Sequence, residues 1–504
     1  LKKRKNLFIL VAVLITVGIG AVYLLNKYIK DQIITGLEKE FPSSVLSYDD
    51  ISVNVLGGNS SISNILMNNQ GVKLSASRVN IRNFSYSSYL RSGDFEIGSL
   101  ELIAPVIVIN KSDTATVKKV AEGEEIERNL LLKKFRVIGG SLRVIENDSA
   151  SNTLFVSIKN IELEKVLFGK KHKGALIPFE YDSYKAESDS LFYEINAWNS
   201  ITVRNVELKE DLVLTEFRII PKLSRAQFDL QIPYEKDWIA LKVDQITFQD
   251  LGWSKNEDSL MIKSPQTYIE NANLQIYRNK LVTDDTRIKP MYSQMLRELG
   301  VKLQLDSVTV KNSKIVYEEK VLESRPPAEI SFQNVQAGIK DLVNFNPGNG
   351  QFPKTRIKAK AVFMGNSRLT LNWDFDVSNS MDEFHVWGSL AAIKAEAMNP
   401  FLKYAMNVET EGLIESLSYN FYGNRSQASG DMQMGYRDFK VNILKDGEEK
   451  RKSFLSRLAN LIIKNDAINE DVKQESIETQ RDKTKSFWNF LWLCIRDGAL
   501  KTFF

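Results

Sequence analysis

Between residues 369 and 377 the chain reads LTLNWDFDV: Leu369, Leu371, Trp373, Phe375 and Val377 alternate with Thr370, Asn372, Asp374 and Asp376 without a fault. A period of two puts successive side chains on opposite faces of an extended strand, so this stretch predicts a strand with one apolar and one polar face. The same grammar continues at Phe384, Val386 and Leu390, at Leu417, Tyr419 and Phe421, at Met432, Met434 and Tyr436, and at Phe439, Val441 and Ile443. Turn-forming Gly365-Asn366, Ser378-Asn379-Ser380 and Gly423-Asn424 separate these runs. Together they predict an antiparallel meander from Ile357 to Ile443, with a short helix at Pro400 to Met406.

Working towards the N-terminus, the alternation recurs in weaker form. Strands are expected around Ile51, Val53 and Val55 before Gly57-Gly58, around Val72, Leu74 and Ala76, and around Val79 and Ile81, where the parity slips by one as at a bulge. Three stretches share one plan: SLELIAPVIVINKS from Ser99, FRVIGGSLRVIENDS from Phe135 and LDSVTVKNSKIVYEE from Leu305. Each has an alternating strand, a Gly, Pro or Asn break, and a second alternating strand, which makes a degenerate repeat without a strict period. Further strands are expected at Ile201 and Val203, Val206 and Leu208, Phe228 to Ile232, Ile239 to Val243, Leu274 and Ile276, and Val301 to Tyr317. A helix is expected at Pro290 to Leu299, where Met291, Met295, Leu296 and Leu299 share a face.

The two ends differ from this body. Lys2-Lys3-Arg4-Lys5-Asn6 precedes an uncharged run from Leu7 to Leu25. At about 1.5 Å per residue that run is roughly 28 Å long, close to the hydrocarbon thickness of a bilayer. The basic cluster keeps the N-terminus cytoplasmic and sends the rest across. A cleaved signal is the alternative, with Gly18-Ile19-Gly20 as its small-residue pattern, but the run continues through Leu25 and favours an anchor. Residues 26–46 read as a juxtamembrane amphipathic helix, 47–450 as the β-rich body, and 451–504 as an amphipathic helix (Phe454 to Lys464), a polar linker (Asn465 to Lys485) and an aromatic tail. That tail, SFWNFLWLCIRDGALKTFF, is too interrupted to span a bilayer, and reads as docking on a membrane, on a partner protein of the envelope or on the body itself.

Chemistry-bearing motifs are missing. No nucleophile elbow, phosphate loop, dinucleotide fingerprint, zinc-ligand pair or metalloprotease helix occurs. The two histidines, His172 and His385, stand apart from Cys or acidic clusters, so no metal and no cofactor are expected. Lys+Arg 67 against Asp+Glu 63 gives a net charge of +4 without a basic block beyond the N-terminus, which excludes a nucleic-acid footprint. The single cysteine, Cys494, forms no internal disulfide, a usage that fits a bacterial envelope better than a disulfide-rich secreted domain. The chain reads as non-catalytic.

About two dozen strands with an apolar stripe must hide it by packing sheet on sheet, by closing a barrel, or by holding an apolar guest. Periodicity by itself favours self-packed sheets. Two stretches point elsewhere: LEKEFPSSVLSYDDISVNVLGGNSSISNILM after the apolar run, and NPFLKYAMNVETEGLIESLSYNFYGNRSQASGDMQMGYRDFKVNIL with Asn399-Pro400, Gly412, Gly430 and Tyr436. They resemble the N-terminal and C-terminal parts of AsmA-like proteins of Gram-negative envelopes. The resemblance implies a mainly β protein: an N-terminal transmembrane helix anchored in the inner membrane, then an elongated, curled antiparallel β-sheet in the periplasm with an apolar groove. It also implies a link to phospholipid traffic, outer-membrane lipid homeostasis and bridge-like lipid-transfer proteins. The expected partners are then a phospholipid or other acyl lipid and the membrane. The positions expected to face the lipid are Leu100, Leu102, Val137, Leu303, Leu305, Leu369, Leu371, Trp373, Phe375, Phe384, Val386, Leu417, Tyr419, Phe421, Met432 and Met434. The competing expectation is a non-catalytic envelope scaffold or assembly factor with dry β-sandwich domains, and a further one is a hydrolase with convergent carboxylates.

Overall fold

The stretches read as a membrane run and a juxtamembrane helix form one helix, α1 (Lys2–Glu40), which stops just before Phe41 and Pro42. The expected separation at residue 26 is therefore corrected: Asn26 continues the helix while its side-chain oxygen accepts the Val55 N–H at 2.8 Å. The computed structural model describes residues 2–41, 45–69, 71–111, 130–146, 152–168, 179–256, 259–348, 350–444 and 473–503, with α1 side chains from Leu14. Among the described residues no helix is long and apolar enough to cross a membrane. The expected span begins at Leu7, and its side chains before Leu14 lie outside the described ones; His172 and the expected helix Phe454 to Lys464 lie outside the described residues. The described part of the run leaves Leu14, Ile15, Val17, Ile19 and Leu24 exposed.

Two compact units divide the chain: Leu1–Glu194 with Ile201–Lys209, and Ile195–Ser200 with Glu210–Phe504. The first contains β1 (Leu46–Ser47), β2 (Asp50–Asn54), β3 (Asn59–Asn69), β4 (Val72–Phe84), the helix α2 (Tyr86–Ser92), β5 (Phe95–Ile103), β6 (Val106–Asn110), β7 (Leu130–Ile138), β8 (Ser141–Ile145), β9 (Asn152–Phe168) and β10 (Ser183–Glu194). β11 (Asn199–Leu208) lies on the division. The sheet of this unit is mixed, which corrects the expectation of a purely antiparallel one: β5 runs parallel to β7, and β6 to β8. The other described pairings, β3–β4, β4–β5, β7–β9 and β9–β10 among them, are antiparallel.

The shared plan of the repeats now has a physical meaning. β5 and β6 are one long strand creased at Ala104-Pro105, and β7 and β8 are another creased at Gly139-Gly140. The two creases are laced together, since Ala104 N donates to Ile138 O at 2.9 Å and Ser141 N donates to Pro105 O at 2.8 Å. Gly140 has φ +138°, and a Cβ there would lie 2.4 Å from Pro105 O, so the break must be glycine. The crease lets the apolar alternation resume after a parity slip, as the slip between Ala76 and Val79 requires.

The second unit repeats the device. It contains β12 (Leu212–Pro221), α3 (Arg225–Gln231), β13 (Asp237–Gln249), β14 (Gly252–Asn256), β15 (Ser259–Ser264), β16 (Gln266–Glu270), β17 (Asn273–Asn279), α4 (Tyr292–Arg297), β18 (Lys302–Lys320), β19 (Ala328–Val343), β20 (Thr355–Phe363), β21 (Ser367–Phe375), β22 (Phe384–Leu390), β23 (Ile393–Lys394), β24 (Val408–Gly423), β25 (Gln427–Ile443), β26 (Lys473–Gln480) and α5 (Phe487–Phe503). β16 and β17 form one strand creased at Asn271, parallel to β18, which is creased at Asn312. From β18 to β26 the described pairings are antiparallel, the expected meander.

Four expectations are corrected or refined here. Phe228 to Ile232 belong to α3 and its cap, because Ser224 and Gln227 form a capping box and Phe228 and Ile232, one turn apart, bury the same side. Part of the expected linker is β26, paired with β25 from Gln427↔Gln480 to Met434↔Lys473. The expected helix at Pro290 to Leu299 is α4, pinned by Ser293 and Arg297 to the buried Asp382 at 2.9 and 3.0 Å. It belongs to the long crossover that a parallel β17–β18 pair demands. The helix expected at Pro400 to Met406 is an irregular helical segment, Ala395–Met398, Asn399–Phe401 and Leu402–Met406, ended by Asn407 in the left-handed conformation.

The core lies in the second unit, around Trp373, Phe384, Val386, Phe421, Met432, Phe487 and Phe490. Phe421 is wholly buried. Phe421→Ala should destabilise this unit by about 3–5 kcal/mol, read as a shift in the midpoint of denaturant unfolding.

Candidate functional site

Cross-strand partners point to the same side of a sheet, so the pairing register shows what each face carries. In the first unit one row reads Ile62, Val79, Leu102, Val137, Ile161 and Ala186, and the next reads Ile81, Leu100, Phe135, Leu163 and Tyr184. The opposite face carries Asn80, Glu101, Arg136, Glu162 and Lys185 in register. There Arg136 bridges Glu101 at 3.4 Å and Glu162 at 3.0 Å, and Lys134 meets Glu162 at 2.8 Å. The Lys134 ammonium beside it holds the Glu162 carboxyl below its ordinary range. One face is apolar and the other is laced with ion pairs.

The second unit shows the same division over a longer row: Leu214, Ile246, Ile269, Val310, Ala337, Ala359, Leu371, Gly388, Tyr419 and Met432. Beside it run Phe248, Thr267, Val308, Ile339, Ile357, Trp373, Val386, Phe421, Gly430 and Ile477. Among the described residues, the strands of this unit belong to one sheet, so no second sheet lies against these rows.

What covers the rows changes along them. From Leu214 to Leu371 the first row is half-buried, whereas Tyr419 and Met432 are 6% and 0% exposed. In the second row the short Thr267 and Val308 are also buried. The difference is α5, whose Phe487, Phe490, Leu491 and Cys494 fall at helical spacing and are buried against the strands. Phe487 stacks on Trp373 with ring centroids 4.6 Å apart, and Phe384 meets Phe487 and Phe490 edge-on at 5.2 and 6.0 Å. Gly498 brings the helix so close that a Cβ there would lie 2.6 Å from the Met432 sulfur. Trp488 Nε1 donates to Tyr292 Oη at 2.8 Å, tying α5 to α4. The aromatic tail therefore docks on the body.

This places the residues expected to face lipid in two groups. Leu100, Leu102 and Leu303 are half-buried, and Val137 and Leu305 are buried within their sheets. Trp373, Phe375, Phe384, Val386, Tyr419, Phe421, Met432 and Met434 are buried in the core that α5 closes, with Leu369, Leu371 and Leu417 packed against it. For this second group the expectation of an open lining is corrected. Alternation reports which side chains share a face, and α5, far along the chain, decides what covers them. The sequence signal for that cover was the spacing of Phe487, Phe490, Leu491 and Cys494. Reasoning from strands alone also missed a cavity lined by Trp198, Lys236, Arg278, Tyr292, Lys485 and Phe487.

Among the described residues no group of His, Cys, Asp or Glu has the arrangement of a metal site. His385 lies between Trp387 and Tyr422, at 4.1 and 4.0 Å, on the polar side of the sheet with Nε2 at 2.6 Å from Asn420. The search against protein-family models and the search of curated proteins each gave no match to this chain.

Burial pushes the Cys494 thiol from its ordinary 9.0 up to about 12. A raised folded value means that this contribution to stability is complete below about pH 9 and is lost as the pH climbs towards 12, because the unfolded thiol ionises first. Cys494 should resist alkylation at pH 8, and Gly498→Leu, which wedges α5 from Met432, should speed its modification at least tenfold, measured by mass spectrometry.

Proposed function

We propose that this chain is a membrane-anchored, non-catalytic lipid-binding and lipid-transfer protein, held by the N-terminal run in the inner membrane of a Gram-negative envelope with its bulk in the periplasm. Its sheets form a curled, elongated trough whose apolar rows shield phospholipid acyl chains while head groups stay in water, in support of outer-membrane lipid homeostasis. The observation that carries this reading is the row from Leu214 to Met432: the same register is buried where α5 lies over it and only half-buried elsewhere. Acyl chains gain about 0.8 kcal/mol per methylene removed from water, so a continuous apolar surface suffices and no specific reader of the chain is needed. The exposed Leu14, Ile15, Val17, Ile19 and Leu24 of α1 support the anchor, since a bilayer would cover what the protein does not. The resemblance of both ends of the chain to AsmA-like proteins points the same way.

A second reading, a dry scaffold, is favoured by the sealed core under α5. It requires a cover for the remaining rows, such as a partner protein in place of lipid. Extraction of the detergent-solubilised chain and lipid mass spectrometry separate the two. Co-purifying phospholipid is expected, and the double substitution Ile246→Glu and Ile269→Glu should reduce it at least fivefold while the melting temperature of the core stays within a few degrees. Absence of lipid from the unsubstituted protein would overturn the transfer reading.

A further inference from the structure

A cavity of about 590 Å³ in the second unit, within the range of small-ligand sites, is lined from the start of β13, the end of β17, the crossover and the start of α5. Asp237 and Arg278 are cross-strand partners, and their ion pair is 2.6 Å long. Two positions further along the same strands Ile239 pairs with Ile276, and two beyond that Leu241 pairs with Leu274. Parity places all three pairs on one face, so a charged rim leads directly onto greasy rows. Tyr292 and Phe487, the aromatics that contact Trp373 at 5.6 and 4.6 Å, also line the cavity. The cavity is thus lined by both charged and aromatic side chains.

The charges around it favour an anion. Lys236, Arg278, Arg287, Lys289 and Lys485 line it against Glu235, Asp237 and Asp285. The acids are already engaged: Asp285 by Arg287 and Lys289, Glu235 by Lys280 at 3.0 Å, and Asp237 by Arg278. Lys236 forms no ion pair among the described residues. Its ammonium stands 5.7 Å from the centre of the Trp198 ring, a cation held in place by an aromatic face. Ser486 and Phe487, at the N-terminal end of α5, also line the cavity, where the helix dipole adds positive potential.

We propose that this cavity receives the head group of an anionic phospholipid, with Lys236 as its cationic partner and the acyl chains laid along Ile239–Ile276 and Leu241–Leu274. The proposal rests on the lipid-binding reading above and adds a head-group preference to it. It is tested with the full chain in detergent, titrated with phosphatidylglycerol and with phosphatidylcholine of identical acyl chains at low salt, and followed by native mass spectrometry. The unsubstituted protein should prefer phosphatidylglycerol at least fivefold. Lys236→Glu should abolish the preference by weakening phosphatidylglycerol binding, leaving the melting temperature unchanged. A preference that survives the substitution, or equal binding of both lipids by the unsubstituted protein, overturns the head-group site and leaves the lipid-binding reading standing. Binding of neither lipid overturns both.

Discussion

A sheet with one apolar and one charged face has a single side to hide, and among the described residues all strands belong to one sheet, so no separate sheet does the hiding. That constraint governs the rest. In the second unit the cover comes from helices: α5 lays Phe487, Phe490 and Leu491 on Trp373, Phe384 and Met432, and α4 adds Met291, Tyr292 and Leu296 to the same core. Fully burying a large apolar side chain contributes about 1.5–3 kcal/mol, so a helix with several such residues remains docked without any charged lock. Where no helix lies, most of the row residues remain half-buried by their own neighbours, with Thr267 and Val308 as buried exceptions.

The charged faces complement this division. Glu101, Arg136, Glu162 and Lys134 lie on adjacent strands in register, so each carboxylate has a cation beside it. Glu101 is buried and its neighbours are half-buried, so the attraction within these pairs is largely offset by the cost of taking the charges out of water. Their effect is on register: a one-residue slip would set these charges on the apolar face, and the cost of burying them keeps each strand in place.

Much of the candidate site was legible in the alternation. Leu369, Leu371, Trp373 and Phe375 were expected on one face and lie there, because a strand leaves its side chains no other choice. The parity slip between Ala76 and Val79 and the breaks at Pro105, Gly139-Gly140 and Asn312 were legible as interruptions. Their role as creases in long strands was not, since a crease is recognised only when its neighbour creases beside it. Phe228 to Ile232 misled for a related reason: a short apolar run fits either period, and the capping box at Ser224 and Gln227 decided for a helix. The cavity beside Lys236 was beyond reading, being assembled from β13, β17, the crossover and α5.

By itself the sequence determined most of the strands, their two-faced character and the apolar run at its start, since periodicity and composition are local properties of the chain. The tertiary structure alone decided which strands run parallel, which apolar rows become core and which remain open. Those outcomes depend on where a distant helix comes to rest, and no local pattern encodes the position of a surface that residues far apart must build together.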